Sequence, residues 1–168
     1  MGKHVVWATV FALVAAMLQS TLLARLAVYR AVPDIVLGII VYMAYTHGTM
    51  TGQVTGFFSG LILDFLSAAP LGLNALIRTM IGAAAGLMKG TFFLDPLFLP
   101  MALCAGATLL KALLLAGLHL LFTQGVPMYD LKEPALWVEL LSNSISAPLL
   151  FAFLKRFKNL LADRRKSP

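Results

Sequence analysis

Six apolar windows, at about 5–24, 34–46, 51–67, 73–90, 98–122 and 135–154, leave this chain few ways to fold. A bilayer core about 30 Å thick takes roughly 20 apolar residues per helix. Between the windows stand turn formers: Pro33, Pro70 with Gly72, Pro96 and Pro100, then Gly125, Pro127 and Pro134. The windows therefore read as membrane-spanning helices. The second and third are short and the THGTMTG boundary between them is barely polar, so five spans with one re-entrant segment stands beside six. Composition points the same way, because 12% of the residues are charged where soluble domains carry about a quarter. The expected fold class is all-α: a polytopic integral membrane protein with six transmembrane helices, a single transmembrane domain across 1–168 and no sizeable soluble part.

The first window is too long for the core of a secretory signal, usually about 7–15 residues, and no small-x-small site closes it, so it reads as a retained first helix. Cys104 is the one cysteine, within an apolar segment, and reads as a small core hydrophobe. Positive charge marks the cytoplasmic side. The tail at 155–168 holds Lys155, Arg156, Lys158, Arg164, Arg165 and Lys166 against Asp163, which places the C-terminus in the cytoplasm. An even number of spans returns the N-terminus, with Lys3, to that side. Arg25 and Arg30 then face outward, with Asp34 offsetting one of them. The tail is also suited to anionic lipid or an acidic partner.

The third helix carries Gly52, Gly56 and Gly60, and the fourth carries Gly82, Gly86 and Gly90, each four residues from the next. Small residues at this spacing let helix backbones approach closely in lipid. One further step toward the turn gives Asp64 on one side and Arg78 on the other. With the turn centred near Leu71, both stand seven residues from it, as Gly60 and Gly82 stand eleven, and equal distance along a hairpin means equal depth. An interhelix ion pair between Asp64 and Arg78 is expected. The alternative is that Arg78 snorkels to the headgroups while Asp64 caps or faces water at a helix end. Asn74 stands where it can cap the fourth helix, although a helix starting at Leu73 leaves that position vacant.

Lys111 lies mid-way along the fifth window and His119 two turns later, while Glu139, Asn143 and Ser146 share a face of the sixth. Depth matching sets His119 against Glu139 and Lys111 against Asn143 or Ser142. A polar seam of Lys111, His119, Glu139 and Asn143 is expected between the last two helices, either bridging them or lining a cavity entered from outside. Gln19 in the first helix reads as similar glue or as a contact to a partner helix. No GxSxG, HExxH, P-loop or paired acidic motif completes a catalytic set, so no enzyme activity, cofactor or metal site is expected, and no nucleic-acid partner.

The blocks VPDIVLGIIVYMAY, TGFFSGLILDFLSAAPLGLNAL and EPALWVELLSNSISAPLLFAFLKRFK, following a first helix that ends in MLQS, resemble the rod shape-determining protein MreD family in order. The most specific block is the third-helix run of Gly56, Gly60, Leu61, Asp64 and Ser67 followed by Gly72; Trp137, Asn143 and Pro148 support it, and Lys111 departs from the family pattern. The resemblance implies a non-enzymatic scaffold of the bacterial cell-elongation machinery in the inner membrane. It would bind the transmembrane helix of MreC, with RodA, a class B penicillin-binding protein and, through the basic tail or indirectly, MreB as further partners. It also implies a fold similar to the six-helix substrate-binding subunits of energy-coupling-factor vitamin transporters. From that likeness comes a second expectation, a small-molecule carrier whose outward cavity takes in His119, Glu139, Asn143 and Tyr129. For the scaffold, the small-residue faces with Ala83, Ala84 and Ala85, or the apolar flank of the first helix, are the expected partner surfaces.

Overall fold

A computed structural model describes residues 3–21, 32–67, 69–90, 97–122, 126 and 134–161. Each apolar window holds one helix: α1 (Lys3–Thr21), α2 (Ile35–His47), α3 (Thr49–Leu66), α4 (Leu73–Leu87), α5 (Phe98–Leu121) and α6 (Pro134–Arg156). A one-turn α7 (Lys158–Leu161) follows and packs against α1. Arg25 and Arg30, the loop with Tyr129, and the tail from Ala162 onward lie outside the described residues. α5 and α6 are long and apolar enough to cross a membrane; α2 and α4 are shorter apolar helices.

α2 occupies the centre, touching α1, α3, α4, α5 and α6. Its residues Val36 to Ala44 are buried without interruption, which accounts for a run apolar on every face: a helix enclosed by protein has no polar side to present. The step from α2 to α3 takes one residue, Gly48, whose φ of +99° lies in the left-handed region that favours glycine. Two hairpins, α3/α4 and α5/α6, flank this central helix.

Glycine sets the packing of the first hairpin. A Cβ at Gly52 would overlap the carbonyl of Gly82, one at Gly56 the carbonyl of Arg78, one at Gly60 the backbone of Asn74 and Ala75, and one at Gly86 the backbone of Thr49. Main chain therefore meets main chain along the whole contact, as small residues at this spacing allow. The register differs from that expected. Gly82 faces Gly52 rather than Gly60, because the hairpin is asymmetric about Leu71 and α3 runs past the start of α4. Gly90 is not a rung of the ladder: α4 ends at Leu87, and Gly90 follows it with φ +76° and nothing within 4 Å of its Cβ position.

Candidate functional site

The shifted register decides where the charges go. Arg78 has its backbone beside Gly56, and Gly56 lies eight residues, about 12 Å of helix, from Asp64. The two do not pair. Asp64, buried near the end of α3, instead meets the first residues of α4. Its Oδ2 accepts from the amides of Gly72 (3.0 Å) and Ala75 (3.2 Å), and its Oδ1 from the amide (2.9 Å) and side-chain nitrogen (3.0 Å) of Asn74. Gly72 is the N-cap of α4 and offers no side chain, so a carboxylate from the neighbouring helix satisfies the unpaired amides. Negative charge there also suits the positive end of the helix dipole. Asn74, a candidate cap in the sequence, holds Asp64 in place.

Arg78 turns toward α2. Its Nη2 donates to Asp34 Oδ2 at 2.7 Å, and Lys111 of α5 donates to the same oxygen at 3.2 Å. Lys111 also donates to Glu139 Oε1 of α6 at 2.7 Å. The other oxygen of Asp34 caps α2 by accepting from the Leu37 amide at 3.0 Å, while its own amide donates to Asn143 Oδ1 at 2.6 Å. Asn143 then donates to the Thr108 hydroxyl at 2.9 Å, and Thr108 to the Cys104 carbonyl at 2.8 Å. Asp34, Arg78 and Glu139 are each 5% exposed, so the chain of contacts lies inside the protein.

Two acidic and two basic groups thus alternate as Arg78, Asp34, Lys111 and Glu139, joining α4, α2, α5 and α6 at one level. Their formal charges cancel, and each group touches only groups of opposite sign within the row. Such pairing is what makes buried charge tolerable where one charge alone is costly. The seam expected between the last two helices is realised by Lys111, Glu139 and Asn143, with Lys111 meeting Glu139 rather than Asn143. His119 is not part of it: its ring lies against the Val126 carbonyl at 2.9 Å, beyond the end of α5. The Ser146 hydroxyl donates to the Asn143 carbonyl within α6, and the Gln19 Oε1 is buried without a partner among the described residues.

Sequence reasoning missed Asp34, reading it as a loop charge set against Arg25 and Arg30. A signal was present, since an aspartate directly before an apolar run is an N-cap pattern, and a cap on a helix enclosed by protein is itself enclosed. Of the residues expected around an outward cavity, Glu139 and Asn143 make buried contacts and His119 lies against the Val126 carbonyl, while Tyr129 lies outside the described residues. The arrangement holds helices together and presents no nucleophile beside a base among the described residues.

Residues 1–157 match the family model described as rod shape-determining protein MreD. No curated protein and no solved structure matches the chain.

Proposed function

The chain belongs to the rod shape-determining protein MreD family, membrane proteins of cell-shape determination, and from that premise we propose that it is a six-span scaffold in the bacterial inner membrane that seats the transmembrane helix of MreC. Both termini face the cytoplasm in this reading, and the helix arrangement is of the kind found in vitamin-transporter substrate-binding subunits. Through MreC the scaffold links MreB filaments to the wall-building pair of RodA and a class B penicillin-binding protein.

The observation that carries the reading is where rigidity ends. The glycine ladders are consumed inside the α3/α4 hairpin, and the buried ions tie four helices, so neither is a surface for a partner. α1 is different. Val6, Val10, Val14 and Leu18 stand exposed along one side of it, and a groove of about 330 Å³ between α1 and α3 is lined by Val5, Thr9, Leu13, Phe58 and Ile62. A preformed apolar groove on a rigid body lowers the ordering cost for an incoming helix.

Photo-crosslinking tests this directly. A benzophenone amino acid at Val10 or Phe58 should capture MreC in membranes expressing both proteins, and one at Leu113 or Leu149, exposed on α5 and α6, should not. Capture only from the α5 and α6 positions would overturn the placement on α1. Failure of the full-length chain to copurify MreC would overturn the scaffold role itself.

A further inference from the structure

α1 belongs to neither hairpin. Among the described residues its contacts are with α2, α3 and the one-turn α7. The face it buries is mostly alanine: Ala8, Ala12, Ala15 and Ala16. Such small side chains let the backbone approach its neighbours closely, but they raise only shallow ridges, and shallow ridges oppose rolling about the helix axis weakly. The roll of α1 is therefore set by what stands on its two flanks.

One flank faces the groove against α3, where Thr9 and Leu13 are among the lining residues. The other carries Phe11, because Thr9 and Leu13 each stand two residues from it, about 200° around the helix. Phe11 meets Phe157 with ring centroids 5.3 Å apart, and Phe157 meets Phe153 of α6 at 5.1 Å. Phe157 is the single residue between α6 and α7, and α7 then packs on α1, with Leu161 buried. α6 itself does not touch α1 among the described residues, so this aromatic row and α7 are its link to that helix. One turn of helix does not hold itself together, since nucleation is unfavourable. α7 exists through what it packs on, and its Leu160 and Leu161 amides, donating to the Phe157 carbonyl at 2.9 and 3.1 Å, report whether it is in place.

We propose that α7 is a positioning element for the α1/α3 groove: by bearing on the Phe11 flank through Phe157, it sets the roll of α1 and with it the width of the groove on the opposite flank. The inference rests on the docking of the MreC helix in that groove, and it names the cytoplasmic end of α6 as the place from which that docking is controlled. Linkage makes the relation reciprocal. By whatever factor the α7 contact favours docking, docking favours the α7 contact by the same factor.

Phe157→Ala removes the aromatic row, and Phe157→Leu keeps its apolar bulk. Double electron–electron resonance between nitroxides at Val14→Cys and Phe65→Cys, both exposed, reads the α1 to α3 distance in the full chain without MreC, in a Cys104→Ala background. Phe157→Ala should shift that distance by about 2 Å, a roll of about 20° at an outer helix radius of about 5–6 Å, and Phe157→Leu should restore it. A second pair, Leu113→Cys with Leu149→Cys on α5 and α6, should not move, which shows that the bundle is folded. Capture of MreC by a benzophenone at Phe58 should fall at least about fivefold in Phe157→Ala and return in Phe157→Leu, and bound MreC should slow exchange of the Leu160 and Leu161 amides. An unchanged α1 to α3 distance, or α7 amides that exchange equally with and without captured MreC, would overturn the positioning role and leave docking in the groove intact. Movement of both distances would overturn it too, since Phe157 would then hold the whole bundle. No capture by the parent chain would sink the docking reading, and the link from α7 to a partner with it.

Discussion

Arg78 Nη2 lies 2.7 Å from Asp34 Oδ2, although the two are 44 positions apart in the chain and an acidic residue much nearer in sequence, Asp64, caps the same helix that carries Arg78. α4 is thus fixed twice by carboxylates, at its N-terminus by α3 and one and a half turns later by the residue that starts α2. The first contact sets its axial position and the second its rotation. Neither would hold without the glycine contacts that bring α3 and α4 together in this register.

A double-mutant cycle separates these relationships. Asp34→Asn and Arg78→Met should each destabilise by about 3–5 kcal/mol, the usual cost of removing one partner of a buried pair. Combined, they should fall short of the sum by more than about 0.5 kcal/mol, the margin that marks coupled sites. Asp64→Asn with Arg78→Met should add within that margin. Unfolding in detergent, titrated with dodecyl sulfate, measures the three single and two double variants; a coupled Asp64 cycle with an additive Asp34 cycle would reverse the assignment.

Asp64 should behave as a cap rather than as a charge. Asp64→Ala removes the acceptor for three amides and the Asn74 side chain, and should cost about 2–4 kcal/mol, above the usual range for a single cap because several buried donors lose their partner together. Asp64→Asn keeps one acceptor oxygen and should cost about half as much. Hydrogen exchange localises the effect. Amides of Gly72, Asn74 and Ala75 should lose protection before those of Ile81 or Ala85, and uniform loss across α4 would contradict the cap.

Much of this was legible in the sequence, and what was not has a physical cause. The six helices follow from apolar windows bounded by proline and glycine, and the backbone contact of α3 with α4 follows from residues four apart. The register did not follow. Equal depth from Leu71 assumes a symmetric turn, whereas α3 ends at Leu66 and α4 begins at Leu73 with Gly60 facing Asn74 and Ala75. Asp34 eluded the same reasoning for a different reason. Its partners, Arg78, Lys111 and Asn143, stand on three other helices, and hairpin geometry relates only neighbours in the chain. Lys111 is explained by the same contacts between helices, since Asp34 and Glu139 stand on either side of its ammonium.

Two glycine-to-alanine substitutions should differ in sign. At Gly56 the added methyl would overlap the Arg78 carbonyl, and backbone cannot give way as a flexible side chain can, so Gly56→Ala should destabilise by at least about 2 kcal/mol and displace Arg78 from Asp34. At Gly106 the same methyl enters open space in mid-helix, and Gly106→Ala should stabilise by about 0.5–1 kcal/mol through helix propensity. Melting temperatures in one detergent decide the matter. A stabilising Gly56→Ala would mean that α3 and α4 are not in backbone contact there.

Lys111 and Glu139 permit the sharpest test of whether the buried ions stabilise the bundle or only specify its arrangement. Lys111→Met removes the ammonium that Glu139 and Asp34 share; Asp34 keeps Arg78, while Glu139, 5% exposed, loses the contact at 2.7 Å. The single variant should therefore cost about 3 kcal/mol. Adding Glu139→Gln removes the buried carboxylate charge and keeps the shape, and replacing both members of a buried pair is often close to neutral, so the double variant should recover to within about 1 kcal/mol of the parent. Because the pair is buried, raising salt from 0.1 to about 0.5 M should leave both differences unchanged, whereas a surface pair would weaken as the screening length shortens. Greater damage in the double variant than in Lys111→Met would show that Glu139 is held chiefly by other groups, and the α5/α6 contact would then owe its stability to apolar packing.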